Sequence, residues 1–274
     1  MTSFPDPRFP GPTWFVGCGN MAGAMVTGWR TAGIDLVAVT AIRPSGTAVE
    51  GVRTVSALPD GPPPALVMLG FKPQKLDEVA PGLAPRLGAD TIVISLLAGV
   101  EAATLRQRFP TARAFVRAMP NLPVAQRKGV IALYSKDDDP AALTLVQALM
   151  AALGFAPIVD DEAHFSAIGA VAGSGPAYVA RFVDALISGG EGLGLAPDLA
   201  ARIALDTLTG TAAMAVATNL PMAELARHVA SPKGTTEAGL AVLDASDGIN
   251  QLIGRMLAAS IARGKELADA ARQG

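Results

Sequence analysis

The chain has 274 residues, enough for one large domain or two modest ones, and its 22 Lys+Arg against 24 Asp+Glu leave a net charge of -2. That balance offers no attraction to DNA, RNA or anionic lipid, so no nucleic-acid partner is expected. One cysteine, Cys18, and two histidines, His164 and His228, are too few for a structural zinc site or a disulfide framework, and no metal is expected.

Residues 1–12 contain Pro5, Pro7, Pro10 and Pro12 and no apolar stretch of the kind a signal peptide needs. They are expected to form a disordered arm on a cytoplasmic protein. Short apolar runs follow at 14–16, 36–42, 65–70, 91–96, 114–117, 129–134 and 156–159. Their length and spacing predict buried parallel strands with helical crossovers, a Rossmann-type doubly wound α/β domain over 13–160. From 161 to 274 the strand pattern stops, and Ala-rich helices are expected at 161–172, 176–193, 197–218, 222–229, 236–245 and 249–271. No unbroken apolar run reaches the ~18 residues of a membrane span, so no membrane partner is expected. Residues 203–217 are nonetheless apolar or small on nearly every side. Such a helix needs partners all round, which predicts that the helical half forms a homodimer or a larger homo-oligomer through an apolar interface.

Trp14-Phe15-Val16-Gly17-Cys18-Gly19-Asn20-Met21-Ala22 reads as a strand, a G-x-G-x-x-A turn and a helix start. In a first β-α-β unit the first glycine permits a tight turn, the second admits a pyrophosphate, and Ala22 lets helix pack on strand. The phosphates then face unpaired N–H groups at the positive end of the helix. Val16, Gly17, Cys18, Gly19, Asn20 and Met21 are thus expected around a dinucleotide. At the end of the second strand, where NAD-specific folds place Asp or Glu, the chain has Arg43-Pro44-Ser45, a cation and a hydroxyl suited to a 2′-phosphate. NADPH is therefore the expected cofactor, with NADH possible; the alternative is Arg43 as a solvated loop charge.

Gly70-Phe71-Lys72-Pro73, Leu97-Ala98-Gly99-Val100 and Met119-Pro120-Asn121-Leu122-Pro123 fall at successive strand ends, the edge where an open parallel sheet holds ligands, and are expected to line the ribose and nicotinamide. In the second half Ser231-Pro232-Lys233-Gly234-Thr235-Thr236 runs straight into a helix. Unpaired N–H groups there favour a carboxylate, although the same residue types also serve as plain helix caps. Of the remaining polar residues, Asp137, Asp138 and Asp139 read as solvated loop acids, Cys18 as a small turn residue, His164 as a surface or core histidine, and Tyr178 as core packing.

In these blocks the chain resembles the pyrroline-5-carboxylate reductase family. Gly17-x-Gly19-Asn20-Met21, Lys72-Pro73, Ala98-Gly99-Val100, Met119-Pro120-Asn121, Gly173-Ser174-Gly175-Pro176-Ala177-Tyr178 and Ser231-Pro232-Lys233-Gly234-Thr235-Thr236 stand in family order, and the last two blocks are the specific ones. The resemblance implies a Rossmann half followed by an all-α dimerisation domain of the 6-phosphogluconate dehydrogenase C-terminal kind. It also implies NAD(P)H-dependent reduction of 1-pyrroline-5-carboxylate, a small imine acid, to L-proline, the final step of proline biosynthesis, in dimers or rings of dimers. On this reading Gly17, Gly19, Asn20 and Met21 hold pyrophosphate, and Phe71, Lys72 and Pro73 flank the cofactor. Leu97, Ala98 and Gly99 line the nicotinamide side, with Val16, Cys18, Gly70 and Asn121 completing the cofactor set. Thr236 is the candidate hydrogen-bond partner of the imine nitrogen, with Ser231 orienting it; Ser174, Lys233, Gly234 and Thr235 fall on the substrate side.

Four positions depart from the family's usual pattern: Lys233 replaces a glycine, Leu122 a threonine, and His228 and Leu58 replace asparagines. Lys233 either faces the cleft and attracts a carboxylate or projects into water. Rival readings are a related imine reductase, a β-hydroxy-acid dehydrogenase or a nucleotide-sensing module without turnover. The absence of lysine from 161–178 argues against the hydroxy-acid enzymes, and Ser231, Thr235 and Thr236 argue against the sensor.

Overall fold

The computed structural model describes residues 7–273. The chain divides into two compact units, one running to Ser174 and taking in the residues from Ser260 on, the other Gly175–Ala259. The expected boundary at 160 thus falls before α5 (Glu162–Ile168), which packs on β7 (Gly129–Tyr134) of the first unit.

Besides β7, the sheet of the first unit contains β1 (Thr13–Val16), β2 (Val39–Ile42), β3 (Arg53–Val55), β4 (Leu66–Leu69), β5 (Ile92–Ser95), β6 (Ala114–Pro120) and β8 (Gly154–Phe155). Their order is β3-β2-β1-β4-β5-β6-β7-β8. Neighbours from β3 across to β6 pair in parallel, as the apolar runs predict. At β6 and β7 the expectation of an all-parallel sheet fails, because these two strands pair antiparallel. The reason lies in the connection: Asn121 to Lys128 contains only the 3-10 turn Leu122–Gln126, too little chain for the crossover that a parallel pair requires.

Residues alternate between the two faces of each strand. Phe15, Leu66, Met68, Ile94 and Val116 meet α1 (Asn20–Thr31) and α4 (Pro140–Ala151) on one side. Trp14, Val16, Val67, Leu69, Val93 and Phe115 meet α2 (Leu76–Leu83) and α3 (Ala102–Arg108) on the other. A sheet covered on both faces needs apolar residues at every position, which is why the runs lack polar alternation. Two strand expectations shift: β3 was not foreseen, being three partly exposed residues, and the run at 156–159 contributes only a bridge from Leu133 to Ile158 beside the two-residue β8.

Met1–Asp6 lie outside the described residues. The rest of the expected arm does not behave as one. Phe9 is buried, with its ring centroid 4.9 Å from Trp29 and 5.6 Å from Phe15, both edge-on. Trp29 in turn donates its indole N–H to the Leu149 carbonyl at 2.7 Å, tying α1 to α4. The proline count hid one aromatic with a core position to fill.

The second unit holds α6 (Gly175–Gly192), α7 (Pro197–Thr218), α8 (Met222–Val229), α9 (Thr235–Leu243) and the start of α10 (Ile249–Gln273), all close to expectation. α6 and α7 pack together, yet of α7 only Ala200 and Ala204 are buried, and α6 and α9 bury no residue. Phe182, Ile203, Val216 and Val242 stand exposed. By length and a mean hydropathy of 1.2, α7 would suffice to cross a bilayer, a capacity spread too thinly among small residues and threonines to show as an unbroken run.

Replacing Phe9 by Ala should lower the unfolding free energy by about 3 kcal/mol in a urea titration, whereas a disordered arm predicts no change.

Candidate active site

The turn after β1 is shaped by two close approaches. Gly17 has φ 78, and a Cβ there would come within 2.8 Å of the Phe71 nitrogen. A Cβ on Gly70 would come within 2.5 Å of the Gly17 carbonyl oxygen. Hydrogen bonds from Gly17 N to Ile42 O and from Gly70 N to Val16 O, each 2.9 Å, lock this turn over the ends of β2 and β4. Gly19 differs: it is the residue before α1, with φ -82, and a Cβ there would meet nothing within 4 Å. No side chain caps α1, so its first N–H groups are left for a ligand. A glycine required by close backbone at Gly17 and open space at Gly19 fit a pyrophosphate cradle.

Cys18 is buried inside this turn, and burial pushes its thiol up to about 11, with the Arg43 charge pulling the other way. It is therefore a neutral packing group. Arg43 is half-buried; its backbone N–H donates to Val55 O and its Nη1 to Thr47 O at 2.9 Å, closing the loop in which Pro44 and Ser45 stand exposed. Ser45 Oγ lies 3.0 Å from Thr47 Oγ1. Along the same edge Phe71 and Pro73 are half-buried and Lys72 is exposed; Leu97 is buried, Ala98 exposed, and Gly99 turns with φ 76.

Asn121 does not fit the role expected of it. Its amide is engaged at both ends, Nδ2 donating to Ala172 O and Oδ1 accepting from Val130 N, each at 2.9 Å. The side chain braces backbone and is not turned to a cofactor. The acid run 137–139 is not simply solvated either. Asp137 accepts from Arg106 at 2.7 Å and from the Phe115 N–H at 2.6 Å, while Asp139 caps α4 through Ala142 N and pairs with Arg113. His164 is exposed beside Asp161, at 2.9 Å.

Sequence reasoning missed Arg117. It is 6% exposed in the middle of β6, with Nη1 2.8 Å from Glu162 Oε1 and its guanidinium carbon 4.5 Å from the Phe165 ring centre. A single arginine inside an apolar strand was the available signal, since a buried cation requires a partner.

In the second unit the loop before α9 is built by its own hydrogen bonds. Ser231 O accepts from Gly234 N at 2.9 Å, and Glu237 Oε2 accepts from Lys233 N at 2.5 Å. Lys233 has φ 59, the left-handed conformation, which costs a non-glycine residue about 1 kcal/mol. Gly234 precedes α9, where a Cβ would come within 2.4 Å of Ser231 Oγ. Thr235 and Thr236 open the helix, exposed, with no side-chain cap at its start. His228 is exposed, its Nε2 3.9 Å from Glu224. Ser174 belongs to the first unit, at the end of the π turn Gly169–Gly173.

A tight glycine turn at the switch point of a doubly covered sheet, opening onto an uncapped helix start and followed by an all-helical unit, defines a dinucleotide-binding protein of the Rossmann type. The family pattern described as pyrroline-5-carboxylate reductase dimerisation matches residues 162–267. The chain is 36% identical over 266 residues to the pyrroline-5-carboxylate reductase of Pseudomonas aeruginosa, covering 93% of this chain and 96% of that one. It is 38% identical over 204 residues to the Synechocystis enzyme of the same name, covering 74% of each. Among solved structures, the Coxiella burnetii pyrroline-5-carboxylate reductase superposes with a TM-score of 0.84 at 31% identity, over 94% of this chain and 98% of that one. The Plasmodium falciparum enzyme, solved with NADP bound, has the same fold, with a TM-score of 0.83 at 22% identity over 97% and 100%. The chain belongs to the pyrroline-5-carboxylate reductase family.

Gly19→Ala should fold, since its Cβ has room, yet weaken NADPH binding by calorimetry at least about tenfold, since the G-x-G-x-x-A pattern assigns that room to the phosphates.

Proposed function

We propose that the chain reduces the C=N bond of 1-pyrroline-5-carboxylate to give L-proline, with NADPH as the preferred donor. The observation that carries this reading is kinship along almost the whole length with reductases of that name, in a chain that keeps the tight turn at Gly17 and the open space at Gly19. The reduced nicotinamide supplies a hydride to the imine carbon.

The chain's own task is to hold and orient, which is most of what hydride transfer requires. The first-turn N–H groups of α1 take the pyrophosphate. Arg43 and Ser45 take the 2′-phosphate, and Phe71, Lys72, Pro73, Leu97, Ala98 and Gly99 flank the rest of the cofactor. In the second unit Thr236 hydrogen-bonds the ring nitrogen, where the proton ends, and Ser231 orients it. The uncapped start of α9, with Gly234 and Thr235, receives the substrate carboxylate. Lys233 adds positive charge beside that helix start, and Ser174 is the first unit's candidate contact to the substrate.

A homodimer built through the second unit is the proposed assembly; its exposed apolar side chains on α6, α7 and α9 and the match to a dimerisation family support it.

NADPH oxidation should be seen with 1-pyrroline-5-carboxylate, and not with a six-membered imine acid or, in reverse, with a hydroxy acid; turnover only on either alternative would replace the reading. Arg43→Ala should reduce the NADPH-over-NADH preference about ten- to hundredfold in kcat/KM, the value of one charge-assisted bond. Thr236→Ala should lower kcat with the KM for NADPH unchanged; undiminished turnover would remove Thr236 from the mechanism.

A further inference from the structure

Strand β6 and the residue after it present Arg117, Met119 and Asn121 at alternate positions, hence on one face. Each grips a different part of the segment 162–173. Arg117 pairs with Glu162, the first residue of α5, at 2.8 Å and lies over Phe165 of the same helix. Met119 packs on the π turn: a Cβ on Gly169 would come within 2.2 Å of its Sδ, and one on Gly173 within 3.9 Å of the same atom. Asn121 donates to Ala172 O near the end of that turn. Beginning, middle and end of the segment are thus fixed by one strand.

The direction of β6 gives this grip a meaning. It runs parallel to β5, and through β5 and β4 to β1, so Asn121 emerges at the same sheet edge as Gly17, Gly70 and Leu97. That is the edge where the nicotinamide belongs on the reading above. The segment held there is a helix ending in a π turn, a wide and locally weak form that concentrates at functional places, and it delivers Ser174. An apolar contact alone would let α5 turn or slide. A planar guanidinium set between a carboxylate and a ring face fixes both its rotation and its height. The same Glu162 oxygen also accepts a long contact, 3.5 Å, from the N–H of Ala102 at the start of α3.

We propose that Arg117 is a positioning residue for hydride transfer: through Glu162, and together with Met119 and Asn121, it sets the height of the turn Gly169–Gly173 and of Ser174 at the nicotinamide edge of the sheet. The inference rests on the reductase reading. Its test compares full-length wild type, Arg117→Met, Arg117→Lys and Met119→Leu, each assayed with NADPH and with NADPH deuterated at the transferred position. Arg117→Met should lose about 10- to 100-fold in kcat while binding NADPH within about twofold of wild type. Its isotope effect on kcat should rise, because a misplaced acceptor makes hydride transfer rate-limiting; Arg117→Lys should recover part of both. If the ion pair only stabilises the fold, kcat falls through loss of folded molecules, the isotope effect keeps its wild-type value, and the inference is overturned. Should Arg117→Met fail to fold, Met119→Leu carries the same comparison, and an unchanged isotope effect there overturns the inference equally. Wild type that does not turn over the imine acid at all overturns the reductase reading and this inference with it, a result distinct from normal turnover with an unaltered isotope effect.

Discussion

The absence of a side chain at Gly17 and Gly70 is the constraint from which the rest follows. β1 and β4 are adjacent and parallel, so the chain leaving β1 must cross the end of β4, and the two backbones meet there with no space for a Cβ on either. Only this closeness lets α1 start directly above the sheet edge with its positive end outward. The helix is held equally tightly at its far end, where a Cβ on Gly28 would strike the Val124 carbonyl oxygen at 2.2 Å. Met25 and Trp29, fully buried on the same helix, couple the position of the turn to the packing of the core. Ligand geometry and fold stability are therefore set by the same few contacts.

What could be read from residue order was what depends on neighbours in the chain. The glycine turn, the apolar strands and the helices of the second unit all follow from local spacing, and α7 and α8 were placed to the residue. What could not be read depends on distant partners. The reversal at β7 arises because the chain after β6 is too short for a crossover, and strand signals carry no direction. Asn121 was assigned to the cofactor because it follows a strand end in the right place, yet which way an amide faces is decided by Ala172 and Val130. Asp137 and Asp139 looked like water-facing acids until Arg106 and Arg113 came to meet them across the fold. The proline-rich start hid Phe9 for the same reason, since its partners lie on β1 and α1.

The second unit shows the opposite balance. Its helices form as their sequence dictates, but their apolar side chains find too few neighbours within the unit: of α7 only two alanines are buried, and α6 and α9 bury nothing. An unpartnered surface of this extent is what a subunit interface looks like before its counterpart is added, and it accounts for a composition richer in apolar residues than a single domain of this size requires. Lys233 shows how finely the loop ahead of α9 is set. The bonds from Gly234 N to Ser231 O and from Lys233 N to Glu237 Oε2 hold a left-handed, non-glycine residue in place at the turn.

The state of Cys18 has a consequence for chemical resilience. Peroxide and electrophiles attack thiolates, and a sulfur held protonated by its surroundings, with a value of about 11, presents almost none at neutral pH. The turn that follows β1 thus contains the chain's single thiol, buried and protonated, in a form with little nucleophilic character.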